Sequence, residues 1–350
     1  MGHCASSKLS PASALPEAPR HSRRLAPTCT ALHGDSASTA SRYFQPAPVV
    51  PDLRRTPVPP RTSARVHPEP LPLRVAAVQM KFAGSLDGNL AKIEAALQAA
   101  VRRRADAVLF PECATTGYAG DFALLRPGPI RKALATVSAL AARFRVNVLV
   151  GSPVPSGRRW QNALVVFDRA GRLVHCYAKC QLTEADRRWF SPGDNIALFE
   201  LDGVCATAMI CHERRYPELP RLGVMAGSQI IFHPNAGLDT LAVSRRKRNG
   251  RDGIAVRAFE NAAFYVFANS VGPQGGGKWS AGDSKIVAPN GRVLCLADNQ
   301  SESILVADMN LSLATRKYAR ESITHPRFLA RHWRAMLREV RLRATLPPHC

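Results

Sequence analysis

From residue 73 onward, short apolar runs alternate with amphipathic stretches, and the hydrophobic period switches repeatedly between that of a strand and that of a helix. The pattern predicts strands over 73–80, 106–110 and 146–151, separated by helices over 89–104 and 130–144. In the first helix Ile93, Leu97, Ala100 and Val101 share one face, and an arginine cluster lies at the C-terminal end, where positive charge suits the helix dipole. The runs 162–168 and 172–177 flank Arg169-Ala170-Gly171, and the runs 196–201 and 204–210 flank Asp202-Gly203; both are hairpin signals. Beyond them, helices are expected at 219–226 and 253–260, and strands at 229–232, 264–269, 284–288, 293–296 and 304–308. Hairpins interleaved with strand–helix units argue against a purely parallel sheet. They predict an α+β chain of two mixed sheets with helices outside.

The flanks follow other rules. Residues 1–72 are rich in Pro, Ser, Ala and Arg without hydrophobic periodicity, so they cannot bury enough surface to offset chain entropy and are expected to be disordered. Three explanations compete for them: an acid-poor organelle transit peptide, a myristoylation pattern at Gly2 with Cys4 open to a second acyl chain, or an over-long translation. Both targeting patterns are short and permissive, and the expected location is cytoplasmic. Residues 73–312 are read as one domain and residues 313–350 as a basic tail. In that tail Leu329, Trp333, Met336, Leu337 and Val340 fall on one helical stripe, with Arg331, Arg334, Arg338 and Arg341 on the other face. A helix of this kind must cover its own domain, a partner subunit or an anionic membrane.

The net charge of +22 raises the question of nucleic acid, and its distribution answers it. The surplus is spread along the chain, 5 in residues 1–72, 10 in 73–312 and 7 in 313–350, and basic residues nowhere interleave with aromatics as a base-stacking platform requires. The densest cluster, Arg245-Arg246-Lys247-Arg248, reads as a solvated loop, so no nucleic-acid partner is expected. With 46% hydrophobic and 21% charged residues the chain has a globular composition. It contains no run of ~18 apolar residues that would span a bilayer. The nine cysteines lack paired metal-type spacing, and Cys176 with Cys180 has no second pair; free thiols and no metal are expected.

Three apolar runs end on reactive residues. Ala107-Val108-Leu109-Phe110-Pro111 leads to Glu112, Leu173-Val174-His175-Cys176-Tyr177-Ala178 to Lys179, and Ala206-Thr207-Ala208-Met209-Ile210 to Cys211. A strand that delivers a thiol into a polar turn fixes the backbone while exposing the sulfur. An acid, an amine and a thiol at strand ends can meet along one sheet edge, where α/β proteins place their chemistry.

The ordered segments Leu109-Phe110-Pro111-Glu112, Tyr177-Ala178-Lys179-Cys180-Gln181-Leu182 and Met209-Ile210-Cys211-His212-Glu213-Arg214-Arg215-Tyr216-Pro217-Glu218 resemble the catalytic signature of the nitrilase superfamily of carbon–nitrogen hydrolases. The resemblance extends from about residue 73 to about residue 308 and includes Phe190-Ser191-Pro192-Gly193, Arg257-Ala258-Phe259-Glu260-Asn261 and Gly282-Asp283-Ser284-Lys285-Ile286-Val287-Ala288-Pro289-Asn290-Gly291. It implies a four-layer α-β-β-α sandwich, a chemistry without metal or cofactor, and a homodimer or larger homo-oligomer. The habit of dimerising makes a partner subunit the expected cover for the tail stripe, with membrane contact second.

The resemblance also implies roles. Cys211 is the nucleophile, Glu112 the general base and Lys179 a donor to the developing oxyanion, with the His212 backbone N–H as second donor. An accessory acid that positions substrate follows the lysine, and Glu184 and Asp186 are both candidates; Asp186 fits better when counted back from Phe190-Ser191-Pro192-Gly193, at the cost of one methylene of reach. His233 ends a strand near the site and could touch substrate, although a satisfied structural histidine is the commoner fate. Arg215 is read as the partner of a neighbouring acid. The Cys-x-acid-x-Arg-aromatic-Pro-Glu pattern of residues 211–218 is similar to the amide and N-carbamoyl branches, whereas nitrilases usually carry tryptophan after the cysteine and this chain has His212. The substrate expected is a small amide or N-carbamoyl compound; a nitrile, or a catalytically silent binding protein of the same fold, are the alternatives.

Overall fold

The computed structural model describes residues 72–118, 121–246 and 253–345. Apart from Pro72, the leader expected to be disordered lies outside these residues, as do Gly2 and Cys4. The strands in chain order are β1 (Leu73–Gln79), β2 (Ala107–Leu109), β3 (Asn147–Ser156), β4 (Arg159–Phe167), β5 (Leu173–Ala178), β6 (Phe199–Leu201), β7 (Val204–Ala208), β8 (Ile230–Asn235), β9 (Phe264–Asn269), β10 (Val271–Gly275), β11 (Lys278–Ala281), β12 (Lys285–Val287), β13 (Val293–Leu296) and β14 (Ser303–Met309). The helices are α1 (Leu86–Arg102), α2 (Pro127–Phe144), α3 (Glu184–Arg187), α4 (Glu218–Ala226), α5 (Leu241–Arg246), α6 (Ile254–Asn261), α7 (Lys317–Ser322) and α8 (Arg327–Ala344).

Two six-stranded sheets form, in the orders β14-β1-β2-β3-β4-β5 and β13-β12-β9-β8-β7-β6. In each, a parallel centre (β1-β2-β3 and β7-β8-β9) is bordered by antiparallel strands, as the mixture of hairpins and strand–helix units requires. The pleat sorts the side chains. Leu73, Val75 and Ala77 of β1, Leu164 and Val166 of β4, Ile230 and Phe232 of β8, and Phe264 and Val266 of β9 meet in a central core between the sheets. Their sequence neighbours point the other way: Ala76, Val78 and Val165 pack with Ile93 and Leu97 of α1 and Val137 and Leu140 of α2. On the second sheet Ile231, Tyr265 and Phe267 pack with Val224, Ile254 and Ala258 of α4 and α6. The result is the four-layer α-β-β-α sandwich of two mixed sheets.

Periodicity left the β10–β11 hairpin and helices α3, α5 and α7 unmarked. All are short, and Gly275, Gly276 and Gly277 in the hairpin turn adopt positive φ, which hides any strand alternation there. The tail helix forms over the expected residues, but its stripe is covered from within the same chain: Leu337 is buried and Trp333 half-buried in the core beneath α4 and α6, and Ala330 and Val340 are buried beside them. Met336, expected on that stripe, is exposed. The partner subunit predicted to cover this face is therefore replaced by the domain itself. Among the described residues no helix is long and apolar enough to cross a membrane.

Candidate active site

The three reactive residues follow C-terminal strand ends; Lys179 comes directly after its strand as the sequence pattern suggests, whereas the strands before Glu112 and Cys211 stop two residues short of the end of their apolar runs. β2 stops at Leu109, β5 at Ala178 and β7 at Ala208, and the chain then turns to present Glu112, Lys179 and Cys211. Cys211 opens a 3₁₀ turn (Cys211–Arg215) with φ 52°, a left-handed conformation that costs a non-glycine residue roughly 1–3 kcal/mol and persists only where the surroundings impose it. Two glycines make the approach possible. A Cβ on Gly151 would lie 2.2 Å from the Pro111 carbonyl oxygen, and one on Gly193 would lie 2.2 Å from that of Ala178, so the Glu112 and Lys179 segments each run against a bare backbone.

Lys179 and Glu112 are completely out of solvent and joined by a 2.9 Å bond from Nζ to Oε1. Lys179 Nζ also lies 2.9 Å from Asp186 Oδ2, another side chain with no exposure. Glu112 is further held by Asn162 Nδ2, 2.7 Å from Oε1, and by the Ala236 N–H, 2.9 Å from Oε2. An isolated buried ammonium would shed its proton, because burial penalises the charged form. Here burial is outweighed by Glu112, Cys211 and Asp186, and the Lys179 pKa is raised well above its usual value. Burial likewise opposes ionisation of Asp186, yet Lys179 together with hydrogen bonds from Tyr118 Oη and the Thr183 N–H brings its pKa below the usual carboxylate value.

The Cys211 thiol faces this group. Burial and the negative charge of Glu112 push its pKa up to about 12, against the opposing pull of Lys179. At neutral pH the sulfur carries its proton, so a nucleophile at this position needs a base beside it. Glu213, two residues on and fully buried, ties the thiol turn to the lysine segment: it accepts from the N–H groups of Ile210 (2.6 Å), Cys180 (2.7 Å) and Gln181 (3.0 Å) and from Tyr177 Oη (2.9 Å). Burial outweighs these bonds and leaves its pKa raised.

A pocket of about 590 Å³ opens above Cys211 and Lys179. Tyr118, His212, Asn235 and Phe267 form part of its wall, and Arg214, Arg215 and Arg246 add positive charge. The His212 pKa is lowered by burial and by Arg215 and Lys179. Arg215, expected to pair with a neighbouring acid, is exposed at the wall and makes no ion pair among the described residues. Asp186 is the acid that reaches the lysine; Glu184, its rival, is exposed on the first turn of α3. His233 is buried behind the Cys211 turn and is not among the side chains that line the pocket. Among the described residues no cluster of three or more His, Cys, Asp or Glu has metal-binding geometry. The thiols of Cys113, Cys180, Cys205, Cys211 and Cys295 are free.

Asn162, Tyr118, Tyr177 and Glu213 join the site through contacts that no sequence motif announces. A polar Asn162 at the mouth of the apolar run 163–167 was a signal, since a buried amide needs partners.

Residues 74–318 match the carbon–nitrogen hydrolase family, and the chain belongs to it. It is thus a cysteine-dependent carbon–nitrogen hydrolase of the nitrilase superfamily. Among its relatives are a nitrilase of Pyrococcus abyssi, 28% identical over 66% of this chain and 87% of that protein, and a 2-oxoglutaramate amidase of Bacillus subtilis, 28% identical over 63% of this chain and 83% of that protein. The fold is shared with an amidase of Nesterenkonia AN1 from the nitrilase superfamily, at a TM-score of 0.65 and 22% identity over 77% of this chain and 99% of that one.

Proposed function

We propose that the protein hydrolyses a small amide or N-carbamoyl compound through an acyl-cysteine intermediate, with Cys211 as nucleophile, Glu112 as base, Lys179 as oxyanion donor and Asp186 as the acid that holds Lys179 in place. The observation that carries the reading is the buried Lys179 ammonium between two carboxylates beneath the Cys211 thiol. An ammonium has three N–H donors. Two are engaged by Glu112 and Asp186, and the third remains for an oxygen that turns negative in the pocket.

In this reading Glu112 takes the Cys211 proton as sulfur attacks the carbonyl carbon, and the oxyanion is met by Lys179 and the His212 N–H. As the tetrahedral centre collapses, the carbon–nitrogen bond breaks and Glu112 returns the proton to the departing nitrogen, which leaves as ammonia or an amine. Water then loses a proton to Glu112 and attacks the thioester; the acid leaves and the sulfur recovers its proton. The three arginines in the pocket wall support a substrate carrying a carboxylate. The proposal includes a homo-oligomeric enzyme, supported by the exposed apolar side chains Val256 and Phe259 of α6 and Tyr318 of α7.

Ammonia release from matched nitrile and amide pairs, with N-carbamoyl compounds alongside, tests the assignment. The amide or carbamoyl member should have the higher kcat/KM; a preference for the nitrile in most pairs would reverse it.

A further inference from the structure

We propose that His233 is a positioning residue that fixes the peptide between Cys211 and His212 so that the His212 N–H points at the oxyanion; this rests on the reading of Cys211 as nucleophile. His233 is fully buried on β8, with Nε2 3.0 Å from the Cys211 carbonyl oxygen. A carbonyl oxygen only accepts, so Nε2 carries the proton in this contact. Nδ1 lies 2.8 Å from Tyr265 Oη on β9, and the ring packs against Phe267 with centroids 4.9 Å apart. The imidazole is held in one orientation by a hydroxyl on one nitrogen and an aromatic face beside it.

The consequence follows from peptide geometry. In a trans peptide the C=O of one residue and the N–H of the next point in opposite directions. The Cys211 carbonyl is held toward His233, behind the site, so the His212 N–H is directed away from it, toward the pocket that His212 lines. Among the described residues no protein acceptor lies at that N–H. The 3₁₀ turn alone would hold this peptide loosely, because its hydrogen bonds are poorly aligned. A bond donated to the carbonyl also polarises the peptide, making its N–H a better donor at the moment charge develops. His233 thus serves the reaction from outside the pocket, without touching substrate.

The test compares two reactions of Cys211 in the full-length protein: acylation by p-nitrophenyl acetate, which develops an oxyanion, and alkylation by iodoacetamide, which does not. His233→Phe should slow acylation about tenfold or more, within the ~10² to 10³ that loss of a whole oxyanion donor costs. It should leave alkylation within about twofold, because displacement at a saturated carbon needs no such donor. His233→Gln, which can place an amide N–H where Nε2 stood, should restore most of the acylation rate. Tyr265→Phe keeps the ring and loosens its anchor, and should produce a smaller loss of the same kind, which keeps the test decisive if His233→Phe does not fold. Undiminished acylation in the folded variants, an equal fall in both rates, or no recovery with Gln would overturn the proposal. Acylation that survives Cys211→Ala unchanged would instead strike the reading of the nucleophile itself, an outcome separable from failure at His233.

Discussion

Lys179 Nζ stands 2.9 Å from Asp186 Oδ2, with neither side chain exposed. The ammonium thereby has a second carboxylate besides Glu112, and the capping Thr183, whose Oγ1 accepts from the Asp186 N–H at 3.1 Å, sets the acid's place on α3. The contact separates two acids that stand two residues apart. Asp186→Asn should lower kcat by about 10-fold to 100-fold, because an ammonium that loses one counter-charge shifts toward the other, while Glu184→Ala should match wild type.

The same pair has a pH signature. The folded pKa of Asp186 is depressed, so its contribution to stability is complete above the unfolded value of ~3.9 and is lost as pH falls through the lower folded value. The Tm difference between wild type and Asp186→Asn should be present at pH 7 and close in acid. A gap that widens on acidification would contradict the ion pair.

Cys211→Ala should retain the circular dichroism of the fold and lower kcat/KM by ~10³-fold or more. Cys205, on β7 with Sγ 3.7 Å from Ser228 Oγ and outside the pocket wall, is the control. Cys205→Ala should keep most of the activity.

Glu112→Gln removes a negative charge from beside the thiol and keeps the side-chain shape. After burial, that charge is the main cause holding the Cys211 pKa up at about 12, so the thiol pKa must fall. Iodoacetamide alkylation of Cys211, read by mass spectrometry across pH, should shift to lower pH even as amide turnover drops ~10²-fold to 10⁴-fold with loss of the base. A profile that stays in place would remove Glu112 from the thiol's surroundings.

On α8, Leu337 is 4% exposed and its neighbour Met336 is 39% exposed. Leu337→Ala should cost about 2–5 kcal/mol in denaturant unfolding. Met336→Ala should stay within ~0.5 kcal/mol. Equal effects, or a change confined to light-scattering mass, would return the helix face to a partner subunit.

What the sequence determined alone is what is recorded between near neighbours. The alternation within 73–80, 162–168 and 264–269 marks the strands, and the arrest of three apolar runs at Glu112, Lys179 and Cys211 marks the candidate site, because residues that follow a buried strand emerge at a sheet edge. Tertiary structure decided what depends on elements far apart in the chain. Asn162 and the Ala236 N–H meet Glu112 across sequence separations of 50 and 124 residues. His233 comes to lie behind Cys211 only because β8 pairs in parallel beside β7. Asp186 and Glu184 share a four-residue helix whose facing is set by where β5 leaves Lys179. For α8, amphipathicity fixes that one face is buried but contains no information about its cover; the apolar surface of α4 and α6 supplied it, since any apolar surface within reach satisfies the same pattern.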